Sequence, residues 1–113
     1  MKRIYRLRIS LGLCSSEQVT SLIGVDPTRS RPGMWDYELI EQEGDFGSDY
    51  VAKLLSLVAG KFNLLEDAGI TRDDLSVWVL YEYRDQCNLE FEPQGLKRLG
   101  DAGVALCITC WQA

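Results

Sequence analysis

Residues 3–13, RIYRLRISLGL, alternate without a break. Tyr5, Leu7, Ile9, Leu11 and Leu13 fall on one side of an extended chain, and Arg6, Arg8, Ser10 and Gly12 on the other. Strand side chains repeat with period two, so this segment gathers its apolar residues on one face only as a half-buried strand. A strand of this kind must pair with neighbours and cover its apolar side with another layer, and the remaining chain is read for what could do both.

In CSSEQVTSLIG, Ser15 and Gln18 have the spacing of a capping box, and Val19, Leu22 and Ile23 make one helical stripe. This predicts a short helix over 15–23, with Gly24 at its C-terminal end. After a loop, MWDYELI sets Trp35, Tyr37 and Leu39 against Asp36 and Glu38, which predicts a second strand. Val51, Leu54, Leu55, Val58, Phe62 and Leu65 recur at helical steps and predict the longest helix, 49–67, with Gly60 as the place where it could break. LSVWVLYEYRD has apolar residues on both faces and predicts a central strand. NLEFE, with Leu89 and Phe91 on one face, reads as its hairpin partner. PQGLKRLGDAG reads as a short helix opened by Pro93, and VALCITCW as a closing apolar strand, also interior.

The predicted order is β-α-β-α-β-β-α-β. It implies an α+β fold in a single domain, 1–113: one mixed five-stranded sheet with helices packed on one face, a variant related to ferredoxin-like folds. The length of 113 residues fits one domain, and 46% hydrophobic with 26% charged residues is the balance of a chain that buries one core unaided.

Three totals narrow the chemistry. The net charge of −5 disfavours nucleic acid, whose phosphates attract cationic faces, and favours a basic protein partner. No apolar run approaches the roughly 20 residues of a membrane span. Arginines interrupt the apolar part of MKRIYRLRISLGLC, which breaks the block a signal peptide needs, so the chain reads as cytoplasmic. There is no histidine, which removes the commonest general base, metal ligand and partner of a nucleophile. Cys107 and Cys110 have CxxC spacing but lie in a predicted strand, where residues i and i+3 point to opposite faces. With Cys14 and Cys87 they read as buried structural thiols ahead of a four-cysteine zinc or redox site.

SSEQVTSLIGVDPTRS, GMWDYEL and LEFEPQGLKRLGDAGVALCITCW together resemble a bacterial family known as a domain of unknown function. They are similar to its first helix and Gly-x-x-Pro-Thr turn, its Gly-x-Trp strand and its closing strand–helix–strand. The resemblance spans nearly the whole chain and implies a fold, but no catalytic residue. Small acidic bacterial domains of this size are often toxin-neutralising immunity proteins, an association of class rather than of motif.

Four stretches are candidate sites. PTRSRPG carries Arg29 and Arg31, but two prolines remove backbone donors and the segment feeds a strand, so it reads as a connector first and an anion site second. Thr28 is expected to tie this turn to its own backbone. From Asp36 to Asp49 the carboxylates Asp36, Glu38, Glu41, Glu43, Asp45 and Asp49 run without a lysine or arginine. This is either a solvated face, partly paired with Lys2, Arg6 and Arg8, or a recognition surface for a basic protein, anchored by Trp35 or Phe46. Trp78 and Trp111 sit opposite the larger apolar sets of their strands; core placement is favoured, and an exposed pair would make a binding platform. The carboxylate pairs Glu90–Glu92 and Asp73–Asp74 have no sequence reason to be buried or tuned, so no catalytic residue is assigned.

The expectation is therefore a non-catalytic binding domain with no cofactor and no metal. It would be an immunity-type protein that occludes a basic toxin domain through the acidic rim. The alternative is a small anion-binding regulatory domain using Arg29 and Arg31.

Overall fold

The computed structural model describes residues 2–42 and 47–113, without the side chains of 47–49. The alternating N-terminal segment forms strand β1, Lys2–Ser10. It is followed by α1 (Ser16–Ile23), β2 (Arg29–Arg31), β3 (Met34–Ile40), α2 (Gly47–Val58), α3 (Phe62–Asp67), β4 (Leu75–Tyr83), α4 (Pro93–Ala102) and β5 (Ala105–Gln112). The strands make one mixed sheet in the order β2-β3-β1-β4-β5. β1 is its middle strand, antiparallel to both β3 and β4, and β5 runs parallel to β4.

Every helix packs on the same side. Tyr5, Leu7 and Ile9 of β1, Trp35 of β3, and Val77 and Val79 of β4 share one core with Val19, Ile23, Val51, Leu54, Val58, Leu65 and Leu99 from the helices. The Tyr5 and Tyr50 rings stack with centroids 4.8 Å apart and join α2 to the middle strand. The α+β class with helices on one face is the one expected.

Local chemistry sets the element ends. The capping box closes α1: Gln18 N–H donates to Ser15 Oγ at 3.1 Å, and Ser15 N–H donates to Gln18 Oε1 at 2.8 Å. The long predicted helix breaks into α2 and α3 at Gly60, whose φ of +73° a residue with a Cβ adopts only at a cost. No described helix is long and apolar enough to cross a membrane.

Four expectations are corrected. The connector at 24–33 contains a strand, because Pro32-Gly33, with Gly33 at φ +81°, turns Arg29–Arg31 back along Met34–Asp36. Thr28 ties this segment to β3 rather than to its own turn: its N–H donates to the Asp36 carbonyl, and its hydroxyl accepts from Glu38 N–H at 2.9 Å. Residues 88–92 form no strand. β4 already has β1 on one side, and α4 returns the chain so that β5 pairs on the other; parallel pairing needs such a crossover. The fifth strand is thus β2 and not NLEFE, although Leu89 and Phe91 still pack against the core. β5, expected inside the sheet, is an edge strand with most of its residues exposed.

Candidate functional site

The strand registers define what lies on the other side of the sheet. Its rows run across the strands: Glu38–Arg6–Trp78–Cys107, then Ile40–Ile4–Leu80–Thr109, then Lys2–Glu82–Trp111. Above them lies Arg29–Asp36–Arg8–Ser76–Ala105. None of these side chains belongs to the core that the helices cover. Among the described residues no element forms a layer over this face.

Its upper half is an ion-pair ladder. Arg8 Nε donates to Asp36 Oδ1 at 2.9 Å and Arg8 Nη2 to Asp36 Oδ2 at 3.1 Å, a bidentate pair. Arg6 Nε donates to Glu38 Oε2 at 2.7 Å and lies 3.8 Å from Asp36. Arg31 approaches Asp36 from β2 at 3.8 Å. The Arg8 guanidinium also sits 5.1 Å from the centre of the Trp78 ring, whose Nε1–H donates to Ser76 Oγ. The hydrogen bond with Asp36 raises Arg8 further above its already high ordinary value, so its charge is permanent. Asp36 is only 1% exposed, because the arginines lie across it.

The lower half holds an apolar row beside a row that carries Lys2 and Glu82. Ile40, 52% exposed, adjoins Ile4, which Leu80 flanks on its other side, and Trp111, 39% exposed, closes the corner beyond Glu82. Five cations, Lys2, Arg6, Arg8, Arg29 and Arg31, share this face with three carboxylates, Asp36, Glu38 and Glu82. The face therefore carries positive charge in a chain whose net charge is −5.

The described carboxylates of the expected acidic rim, Asp36, Glu38 and Glu41, do not share one surface. Asp36 and Glu38 are consumed by the ladder. Glu41 turns to the helix-covered side, where it pairs with Arg3 at 3.5 Å and accepts from the Tyr5 hydroxyl at 3.3 Å. Trp35, expected as an anchor, is fully buried beneath α1 and donates from Nε1 to Thr20 Oγ1, so it touches no partner. Glu43, Asp45 and Phe46 lie outside the described residues, as does the Asp49 side chain, though its backbone is in α2.

Arg29 and Arg31 do not converge on a pocket of their own. Arg31 leans on Asp36, and the hollow beside it, about 390 Å³, is lined by Ser15, Ser16, Ser30 and Gly33, with the Ser30 hydroxyl on that of Ser16. A larger cleft of about 720 Å³ lies at the far end of β4, between Tyr81, Arg84, Asp85, Gln86 and Asn88. Among the described residues no group of three or more metal-ligating side chains converges.

Ile4, Ile40 and Leu80 were absent from the expected site. Their signal was present, as apolar residues on the polar side of three strands, but it became a patch only once the register set them in one row. The favoured core placement of Trp78 and Trp111 is corrected, since both lie on the uncovered side, but only Trp111 is exposed and Trp78 is half-buried beneath Arg8, so they make no exposed pair. Comparison of the chain with protein-family models, curated proteins and solved structures finds no match.

Proposed function

We propose that the protein is a non-catalytic binding domain that holds a protein partner against the uncovered face of its sheet. The observation that carries this reading is the row Ile40–Ile4–Leu80 with Trp111 at its corner, an apolar patch on a sheet face with no described layer above it. Arg6 and Arg8 beside it are already paired. A partner need not neutralise them on docking, which lowers the desolvation cost of contact.

The role that fits is neutralisation by occlusion, as in toxin-directed immunity proteins. The small size and acidic charge of the chain support that class by association, while the family resemblance bears on the fold alone. A basic toxin domain would be drawn to the molecule at long range by the net charge of −5, whereas contact at this cation-rich face would rest on the apolar row and on acidic groups of the partner. The surface proposed for contact is thus the sheet and not the carboxylate rim.

Co-expression with the product of the neighbouring reading frame tests this. The expected result is a stable complex that Ile40→Asp and Trp111→Ala each weaken by about 30-fold or more, the scale of a binding hot spot. Both side chains lie outside the core, so circular dichroism should be unchanged. A complex that tolerates both substitutions would remove this face from the reading.

A further inference from the structure

Cys87 and Cys110 are distant in sequence and lie in different parts of the fold, yet their sulfurs are 3.0 Å apart. That is closer than two non-bonded sulfur atoms normally rest. Cys110 is on edge strand β5, in register with Tyr81, and so on the helix side of the sheet. Cys87 belongs to the irregular segment 84–92 that crosses that end of the strand. Both residues are exposed, so a small reagent can reach them. The Cys87 thiol donates to the Cys110 sulfur, and this bond first, then slight desolvation, holds the Cys87 thiol above its ordinary pKa.

The other two cysteines are placed elsewhere. Cys14 donates its thiol to the Ala68 carbonyl at 2.8 Å, and Cys107 projects from the opposite side of β5, in register with Trp78. The pairing is therefore selective. Gln112 Nε2 donates to the Arg84 carbonyl and ties the start of the crossing segment to β5, just past the bond from Ala113 N–H to the Tyr83 carbonyl at the end of β4. The same segment supplies Arg84, Asp85, Gln86 and Asn88 to the wall of the 720 Å³ cleft.

We propose that Cys87 and Cys110 form a redox-modification site, a dithiol that a low-molecular-weight disulfide converts to an intramolecular disulfide that locks residues 84–92 to the β5 edge. The thiolate of one cysteine attacks a sulfur of glutathione disulfide, forming a mixed disulfide and expelling glutathione thiolate. The second cysteine, as thiolate, attacks the protein sulfur of that mixed disulfide and expels the second glutathione. The two protons lost by the cysteines end on two glutathione thiols. The protein pair is oxidised by two electrons and the reagent is reduced by two. The sulfurs need to approach by only about 1 Å to reach bonding distance. In a reducing compartment the dithiol is the resting form and the disulfide the transient one.

The test uses the reduced full-length protein, folded, with oxidised glutathione, followed by non-reducing peptide mapping. The expected product is lighter by two hydrogens, contains a linked Cys87–Cys110 peptide, and reverts with dithiothreitol. Its thermal midpoint should rise by roughly 5–15 °C, and amide exchange in 84–92 should slow. Cys87→Ser should instead retain one glutathione on Cys110 and show no such rise. No reaction, glutathione left separately on either cysteine of the wild-type chain, a link to Cys14 or Cys107, or unchanged exchange in 84–92 after linkage would each overturn the proposal.

Discussion

Asp36 concentrates the physical problem of the uncovered face. Its strand neighbour Trp35 is buried by helix packing on one side, while Asp36 is buried on the other by arginine side chains alone. A short carboxylate between long guanidinium arms loses its water and regains the loss only through geometry: two hydrogen bonds from Arg8 and the nearby charge of Arg6. Removing it strands Arg8 and leaves Arg6 with Glu38 alone. Asp36→Ala is expected to cost about 3 kcal/mol in urea unfolding, at the lower end of the range for breaking a buried pair. In the double variant Arg8→Ala/Asp36→Ala the loss should be clearly smaller than the sum of the single losses, since the two residues act as one pair. Alternation did place Asp36 on the polar side of its strand. What alternation lacks is that the polar side of a middle-sheet row can be as dry as the core, because side-chain length decides who covers whom.

At the scale of elements, the helix between β3 and β4 shows how one residue redirects a regular pattern. The apolar stripe from Val51 to Leu65 continues past Gly60, but the backbone does not, and α2 and α3 supply the core separately, Val51, Leu54 and Val58 from the one and Leu65 from the other. Lys61 then donates through Nζ to the Ile23 carbonyl at the end of α1. Gly60→Ala is expected to destabilise the fold by about 1 kcal/mol through backbone strain alone, since the space around a Cβ there is open. The measurement is the shift in denaturation midpoint at unchanged m-value. The two misread strands have a common cause. Arg29–Arg31 lacks any apolar period and pairs only because Pro32-Gly33 turns it onto β3. NLEFE has the period and does not pair, because both sides of β4 are already taken. Strand propensity describes a residue's fit to a sheet, and only the topology decides whether an edge is free.

At the scale of the molecule, global stability runs through the joint between the sheet and α2. Tyr5 sits there, stacked on Tyr50, with its hydroxyl donating to Glu41. Burial, more than any other influence, raises its phenol above the ordinary value near 10. The unfolded chain therefore loses that proton first as pH rises. The folded state holds more protons above pH 10, so its stability is full below that value and falls as pH climbs through the raised folded pKa. Stability measured from pH 9 to 11.5 should decline about as this predicts, and Tyr5→Phe should remove part of the slope while leaving the rest of the curve in place. The charge distribution also belongs to this scale. A net charge of −5 gives no hint that one face is cation-rich, because the sum does not record which side of a strand a residue occupies.

Periodicity alone determined that the N-terminal segment is a strand, that Val19, Leu54 and Leu99 face a core, that α1 begins in a capping box, and that helices cover one side of a sheet. Each of these depends on neighbours a few residues apart, and local sterics and burial are written at that range. Tertiary structure decided the rest: which strands are edges, that Asp36 and Glu38 meet arginines, that Ile4, Ile40 and Leu80 become one patch, and that Cys87 reaches Cys110. Those are pairings across the sheet and between distant segments. They are set by register and connection, which no single stretch of the chain encodes.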